Sequence, residues 1–159
     1  MKPFLIIIIF CNVATIGATQ SNQLTFQYLG EEQGLTGGLI NAIQKDDLGF
    51  LWVATREGLF RYDGHQFEQF KGYGNGEQTK TLHDVRGLQK DKKGQLWIGS
   101  SQGWLTVINP KTNTLKSYQL PEDDIKTNNI WNISIDSKGH IWLAFERGLG
   151  YFNPNTEAF

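Results

Sequence analysis

An internal repeat of 45 residues is the feature that most constrains the fold of this 159-residue chain. Trp52, Trp97 and Trp142 follow one another at that interval, and the same interval relates the aspartates and glycines around them. Three copies of a unit of this length are typical of repeat architectures, in which each copy is one supersecondary unit. The signature residues are Asp46, Gly49, Trp52 and Gly58; Asp91, Gly94, Trp97 and Gly103; and Asp136, Gly139, Trp142 and Gly148.

Each copy predicts a small antiparallel sheet of about four strands. A D-x-x-G turn joins the first strand to the second, because the Asp side chain can bond the backbone N–H groups of the turn and Gly tolerates a positive φ. The second strand reads FLWVATR, QLWIGSS or HIWLAFE and is apolar on both faces. Such a strand has to be covered on both faces.

Short antiparallel strands at this period predict an all-β fold, a β-propeller. Radial packing buries each inner sheet between two neighbours, whereas a sandwich or a jelly roll does not predict a strict period. We expect about three four-stranded antiparallel blades of a larger, ring-closing propeller, since known propellers have at least about four blades. The predicted repeats cover approximately residues 35–80, 81–125 and 126–159.

The visible repeats therefore indicate the N-terminal part of a longer protein. Residues 24–29 (LTFQYL) look like an outer strand that closes the last blade of the ring, with a partner beyond Phe159. With a blade edge open, we expect the isolated piece to be marginally stable or prone to aggregate.

The N-terminus has the layout of a secretory signal peptide, which we assign to residues 1–18. Lys2 precedes an apolar run from Phe4 to Cys11, and small residues lead to Ala18. The run is shorter than the roughly 20 residues of a membrane span. Cleavage would leave a mature chain, residues 19–159, that has no cysteine and therefore no disulfide or Cys-ligated zinc.

Charge and motifs exclude several function classes. The net charge is −1 with scattered charges, which argues against nucleic acid as a partner. The sequence has no phosphate-binding loop, no histidine pair at metal-ligand spacing and no nucleophile elbow, so it predicts no cofactor, no metal site and no catalytic residue. An aspartate at the same turn of every repeat favours a structural role, because catalysis needs a unique constellation.

Candidate recognition residues are those that differ between copies whose surroundings agree. The second turn of each unit carries Arg56-Glu57, Ser101-Gln102 or Glu146-Arg147. In a propeller this turn emerges on the same rim as the connections between blades. Arginines and Trp131 suit a sugar or carboxylate ligand, by forked hydrogen bonds and stacking. We assign ligand binding to Arg56, Glu57, Trp131, Glu146 and Arg147, with solvated loops as the alternative.

The repeats resemble the two-component regulator propeller family, whose consensus runs V-x-x-I-x-x-D-x-x-G-x-L-W-I-G-T-x-x-G-L-x-x-Y-D after a G-L pair. The first copy matches it with Asp46, Gly49, Leu51-Trp52, Gly58-Leu59 and Tyr62-Asp63. The later copies depart from it at Trp104, Ile108, Phe145 and Asn153 but keep D-x-x-G-x-[LI]-W. The resemblance extends over residues 26–159.

This resemblance implies a periplasmic sensor region in an inner-membrane regulator. A downstream transmembrane helix would connect it to a cytoplasmic histidine kinase or diguanylate cyclase, in a homodimer, with oligosaccharides as ligands. Two other classes stay open from the sequence. One is a secreted propeller enzyme, either a lyase or a glycan hydrolase, and the other is a protein-interaction scaffold.

Overall fold

The chain is all-β in the computed structural model, which describes residues 24–71, 82–121 and 129–159. The predicted signal peptide, residues 1–18, lies outside the described residues. So does much of each connection between repeats. Within the described ranges, no helix has the length and apolar character needed to cross a membrane.

Three antiparallel sheets correspond to the three repeats, which confirms the predicted fold class. In each sheet, strands consecutive in sequence are hydrogen-bonded neighbours. Short 3-10 helices occur at Glu31–Gln33 and Ser101–Gly103. The first sheet contains β1 (Ile40–Lys45), β2 (Leu51–Thr55), β3 (Gly58–Tyr62) and β4 (Phe67–Gln69); the second contains β5 (Val85–Lys90), β6 (Leu96–Ser100), β7 (Trp104–Asn109) and β8 (Thr114–Gln119); the third contains β9 (Asn132–Ile135), β10 (Ile141–Phe145) and β11 (Gly148–Phe152).

The third sheet differs from the other two because it has three strands in the described part of the chain. A single antiparallel bridge between Asn153 and Ala158 lies where its outer strand is expected to begin. Residues 24–29 form no strand. The partner predicted for them lies beyond Phe159, so their role in closing a ring stays a prediction.

An aspartate carboxylate organises the first turn of each sheet, and that of Asp46 is buried. Asp46 Oδ1 accepts the backbone N–H groups of Leu48 and Phe50, both at 2.9 Å, and Oδ2 accepts the indole N–H of Trp52 at 2.8 Å. Gly49 completes the turn at φ +97°, a left-handed conformation that favours glycine. The other copies repeat these contacts: Asp91 with Lys93, Gln95 and Trp97 at 2.8 to 3.0 Å, and Asp136 with Lys138, His140 and Trp142 at 2.9 to 3.1 Å.

Trp52 and Trp97 each face the following sheet. Trp52 is fully buried in a core shared with the second sheet, and Trp97 is 3% exposed in a core shared with the third. Trp142 is 37% exposed, because no described residue covers that face of the third sheet. The prediction that the second strand is covered on both faces therefore holds for β2 and β6 but not for β10. The same open face displays Leu149 and Tyr151.

Inner strands of adjacent sheets approach closely. Asn41 Nδ2 donates to the Val85 carbonyl at 2.7 Å, which joins β1 to β5. Between β5 and β9 the approach requires glycine, since a Cβ on Gly87 would lie 2.9 Å from the backbone nitrogen of Ile133. The corresponding residue of the first repeat is Ala42.

Replacing Gly87 with Ala tests this approach. Because the added Cβ meets backbone rather than a flexible side chain, we expect the second and third sheets to separate and the free energy of unfolding to fall by about 1–3 kcal/mol. The matched control is Gly148→Ala, whose added Cβ meets nothing within 4 Å. Urea unfolding midpoints compare the two variants, and equal midpoints would contradict the predicted clash.

The hydrogen bonds that Asp136 accepts in the first turn of the third sheet predict an acid-sensitive contribution to stability. Burial raises the pKa of Asp136, but hydrogen bonds from Trp142, His140 and Lys138 outweigh it and lower the pKa to about 2. The folded-state pKa is thus below the ordinary 3.8, so the contribution is present above pH ~4 and is lost as pH falls toward 2. We expect the difference in urea midpoint between wild type and Asp136→Asn to shrink over that window. A difference that is constant from pH 6 to pH 2 would refute this assignment.

Candidate functional site on the blade rim

Asp84 joins the turns of two neighbouring sheets at one rim. Its backbone N–H donates to the Arg56 carbonyl at 2.8 Å, and its carbonyl accepts the Ser101 N–H at 3.1 Å. Arg56 lies in the β2–β3 turn and Ser101 in the β6–β7 turn. Asp84 adopts φ +48°, in the left-handed region that Asp tolerates better than most residues. The second turns and the entrance to the inner strand β5 therefore share one surface.

A cavity of about 430 Å³ opens on this rim, where the inner strands begin. Side chains from all three sheets and their connections surround it. The cavity is lined by Leu39, Asn41, Arg56, Asp84, Arg86 and Trp131.

Arg86 is held in a fixed position inside the cavity. Its Nη2 and Nε lie 2.8 Å and 3.2 Å from Asp84 Oδ2, in a pair whose side chains are both largely buried. The guanidinium carbon lies 3.9 Å from the centre of the Trp131 ring, which is a cation–π contact. Among the described residues, Arg86 Nη1 is buried without an acceptor. These contacts orient the guanidinium and the indole together.

Trp131 combines a fixed position with an open surface. Its backbone N–H donates to the Ala144 carbonyl at 2.8 Å, which fixes the chain just before β9. Half of the residue's surface is exposed, although Arg86 stacks on the ring. An indole held in this way is a preformed apolar platform.

Of the five predicted binding residues, only two come together in this cavity, Arg56 and Trp131. Glu57 lines a separate cavity of about 550 Å³ that lies toward the outer strands of the first sheet. Glu146 and Arg147 lie in the β10–β11 turn, exposed, and line neither cavity. A binding role for these three residues stays a prediction.

Sequence reasoning missed Asn41, Asp84 and Arg86. Asn41, Arg86 and Trp131 occupy the same position of the repeat, 45 residues apart, and all three differ. Variation between copies whose surroundings agree, the feature that pointed to the second turn, is therefore present at this position as well. Asp84 could not be found in that way, because its role depends on the backbone contacts of the rim.

The lining can recognise a ligand through charge, hydrogen bonds and stacking. Two guanidinium groups and one carboxylate leave a net positive charge, and Asn41 adds an amide. Across residues 24–71, 82–121 and 129–159, no three His, Cys, Asp or Glu side chains are placed to share a metal ion.

Comparison with known proteins identifies the repeat. Residues 81–102 match the family model described as "Two component regulator propeller". The chain is 28% identical to the extracellular domain of BT3049, a protein of B. thetaiotaomicron assigned to the hybrid two-component systems, with a TM-score of 0.71. That match covers 82% of this chain and 19% of the other.

The chain is thus similar to this family over a stretch of its second repeat. It is also 32% identical over 65 residues to Histidine kinase P4 of Formosa agariphila, a match that covers 41% of this chain. The chain spans only 5% of the length of that kinase. The expected family resemblance is confirmed, and the chain is similar to the extracellular domain of a hybrid two-component system.

A third protein shares the fold of this chain. Virginiamycin B lyase from Staphylococcus aureus aligns with a TM-score of 0.54 and 17% identity, covering 73% of this chain and 38% of the lyase. At this identity the similarity shows the blade architecture alone.

Substitutions of Asp84 separate its two roles on the rim. Asp84→Gly and Asp84→Ala both leave the largely buried Arg86 without its carboxylate. Only Ala also carries the cost of the left-handed conformation, so we expect Asp84→Ala to be less stable than Asp84→Gly by about 1 kcal/mol. Chemical unfolding of both variants measures this difference. Equal stability would show that φ at residue 84 relaxes in the variants.

Proposed function

We propose that this chain belongs to the extracytoplasmic ligand-sensing propeller of a two-component-type regulator. In this proposal the chain is not itself an enzyme. It binds a small ligand, an oligosaccharide, and passes the binding event to a cytoplasmic output domain outside these 159 residues. That output is a histidine kinase or a diguanylate cyclase.

The observation that carries the proposal is the contrast between the two ends of the repeat. At the first turn, the same aspartate–tryptophan contact recurs in all three sheets. At the rim, one position of the repeat holds a different residue in each copy: Asn41, Arg86 or Trp131. These three side chains line one cavity. Identical residues maintain the fold, whereas different residues create a unique surface suited to one ligand.

The relatives support the location and the signalling role. The BT3049 structure is an extracellular domain, and the predicted signal peptide agrees with export to the periplasm. A downstream transmembrane helix, which would anchor the protein in the inner membrane, and a homodimer complete the proposed arrangement. Ligand binding then shifts the balance between two signalling states, to the extent that the ligand prefers one of them.

The test replaces the native protein in cells with Trp131→Ala and measures transcripts induced by digests of pectin, xylan and laminarin. We expect the digest that induces the wild type to lose most of its effect, because the variant lacks the exposed ring of the cavity. Lys45→Ala, which removes an exposed charge outside the cavity, is the control and should respond normally. A Trp131→Ala strain with an unchanged response, or a wild type that responds to no digest, would reject the proposal.

A further inference from the structure

We propose that the rim cavity selects an acidic oligosaccharide, with one sugar ring on Trp131 and its carboxylate or sulfate on Arg56. This inference rests on the proposed function and adds the chemical class of the ligand. It follows from three properties of the described residues: the exposed area of the Trp131 indole, the difference in ion pairing between Arg56 and Arg86, and the fact that all three residues line one cavity.

Trp131 supplies a flat apolar surface that is already oriented. Its position is fixed by the backbone bond to Ala144, and Arg86 stacks on the ring while Asp84 holds that arginine in place. The exposed half of the residue is thus available to the apolar C–H face of a sugar ring. Because the ring is already ordered, little conformational entropy is lost when a ligand stacks on it.

The two arginines of the cavity differ in how they are paired. The charge of Arg86 is matched by Asp84 at 2.8 Å. Arg56 is exposed and forms no ion pair with any residue in the described part of the chain. The charge left over in the cavity therefore belongs to Arg56, whose planar fork matches a carboxylate or a sulfate in geometry.

Only a ligand that has both an apolar face and an anionic group can stack on Trp131 and pair with Arg56 at the same time. A neutral oligosaccharide stacks on Trp131 but leaves Arg56 without a counter-charge. A small carboxylate such as an amino acid pairs with Arg56 but leaves the indole open. A sugar ring that carries an anionic group satisfies both, and the anion can come from a uronic acid or from a sulfate ester.

The test is calorimetric titration of the intact protein with three pairs of probes. Oligogalacturonates and alginate oligomers, each beside its methyl ester, report on a carboxylate. Carrageenan oligomers, beside their desulfated form, report on a sulfate. We expect at least one acidic member to bind about tenfold more tightly than its neutral partner, with a preference that decreases as salt is raised.

Variants of the cavity residues show which side chains cause the preference for the acidic probe. Arg56→Ala should bring the acidic probe to the affinity of its neutral partner, while Arg56→Lys should retain part of the difference. Trp131→Ala should weaken both members of the pair at least about tenfold. Lys45→Ala removes a positive charge elsewhere on the surface and should leave the affinities and their ratio unchanged.

The outcomes distinguish this inference from the function on which it rests. Equal, Trp131-dependent binding of acidic and neutral members overturns the acidic class and leaves the oligosaccharide sensor intact. An acid preference that survives Arg56→Ala overturns the assignment to Arg56. No binding by any probe overturns the inference, while the transcript response of the wild type still decides the function separately.

Discussion

One carboxylate in each repeat maintains the architecture on which everything else depends. Asp46 uses one oxygen to close the turn between β1 and β2 and the other to hold the indole of Trp52. The turn sets the pairing of the two strands, and the indole fills the space between one sheet and the next. Local structure and packing between blades are therefore determined by the same side chain. A residue with this double role is needed in every copy, which accounts for its strict 45-residue recurrence.

Packing between sheets then places the rim. One hydrophobic core lies between the first and second sheets, and another lies between the second and third. They bring the inner strands close enough for Asn41 to donate to the Val85 carbonyl and for Gly87 to approach the backbone of β9. With the strands at this separation, residues at the same position of successive repeats become neighbours in space. The cavity is a product of that spacing, since Arg86 of one repeat stacks on Trp131 of the next.

The sequence predicted the scaffold well because the scaffold is periodic. The strands, the turns and the apolar second strand all follow from local rules that repeat three times. The site was predicted only in part. Arg56 and Trp131 were found from side-chain type and variation, but Asp84 acts through backbone bonds to the Arg56 carbonyl and the Ser101 N–H. Such contacts join residues far apart in sequence, and the local sequence around residue 84 does not predict them.

The position shared by Asn41, Arg86 and Trp131 lies outside the carboxylate–indole contacts of the first turn. Substitution there changes what the rim displays and leaves the aspartate turn and the indole of each blade in place. Propellers of this kind can therefore acquire new ligands by exchanging one side chain per blade, while the strands and turns that carry those side chains stay the same. Duplication of the repeat multiplies these positions, so specificity can evolve in small steps while the aspartate turns and the buried indoles of the fold are retained.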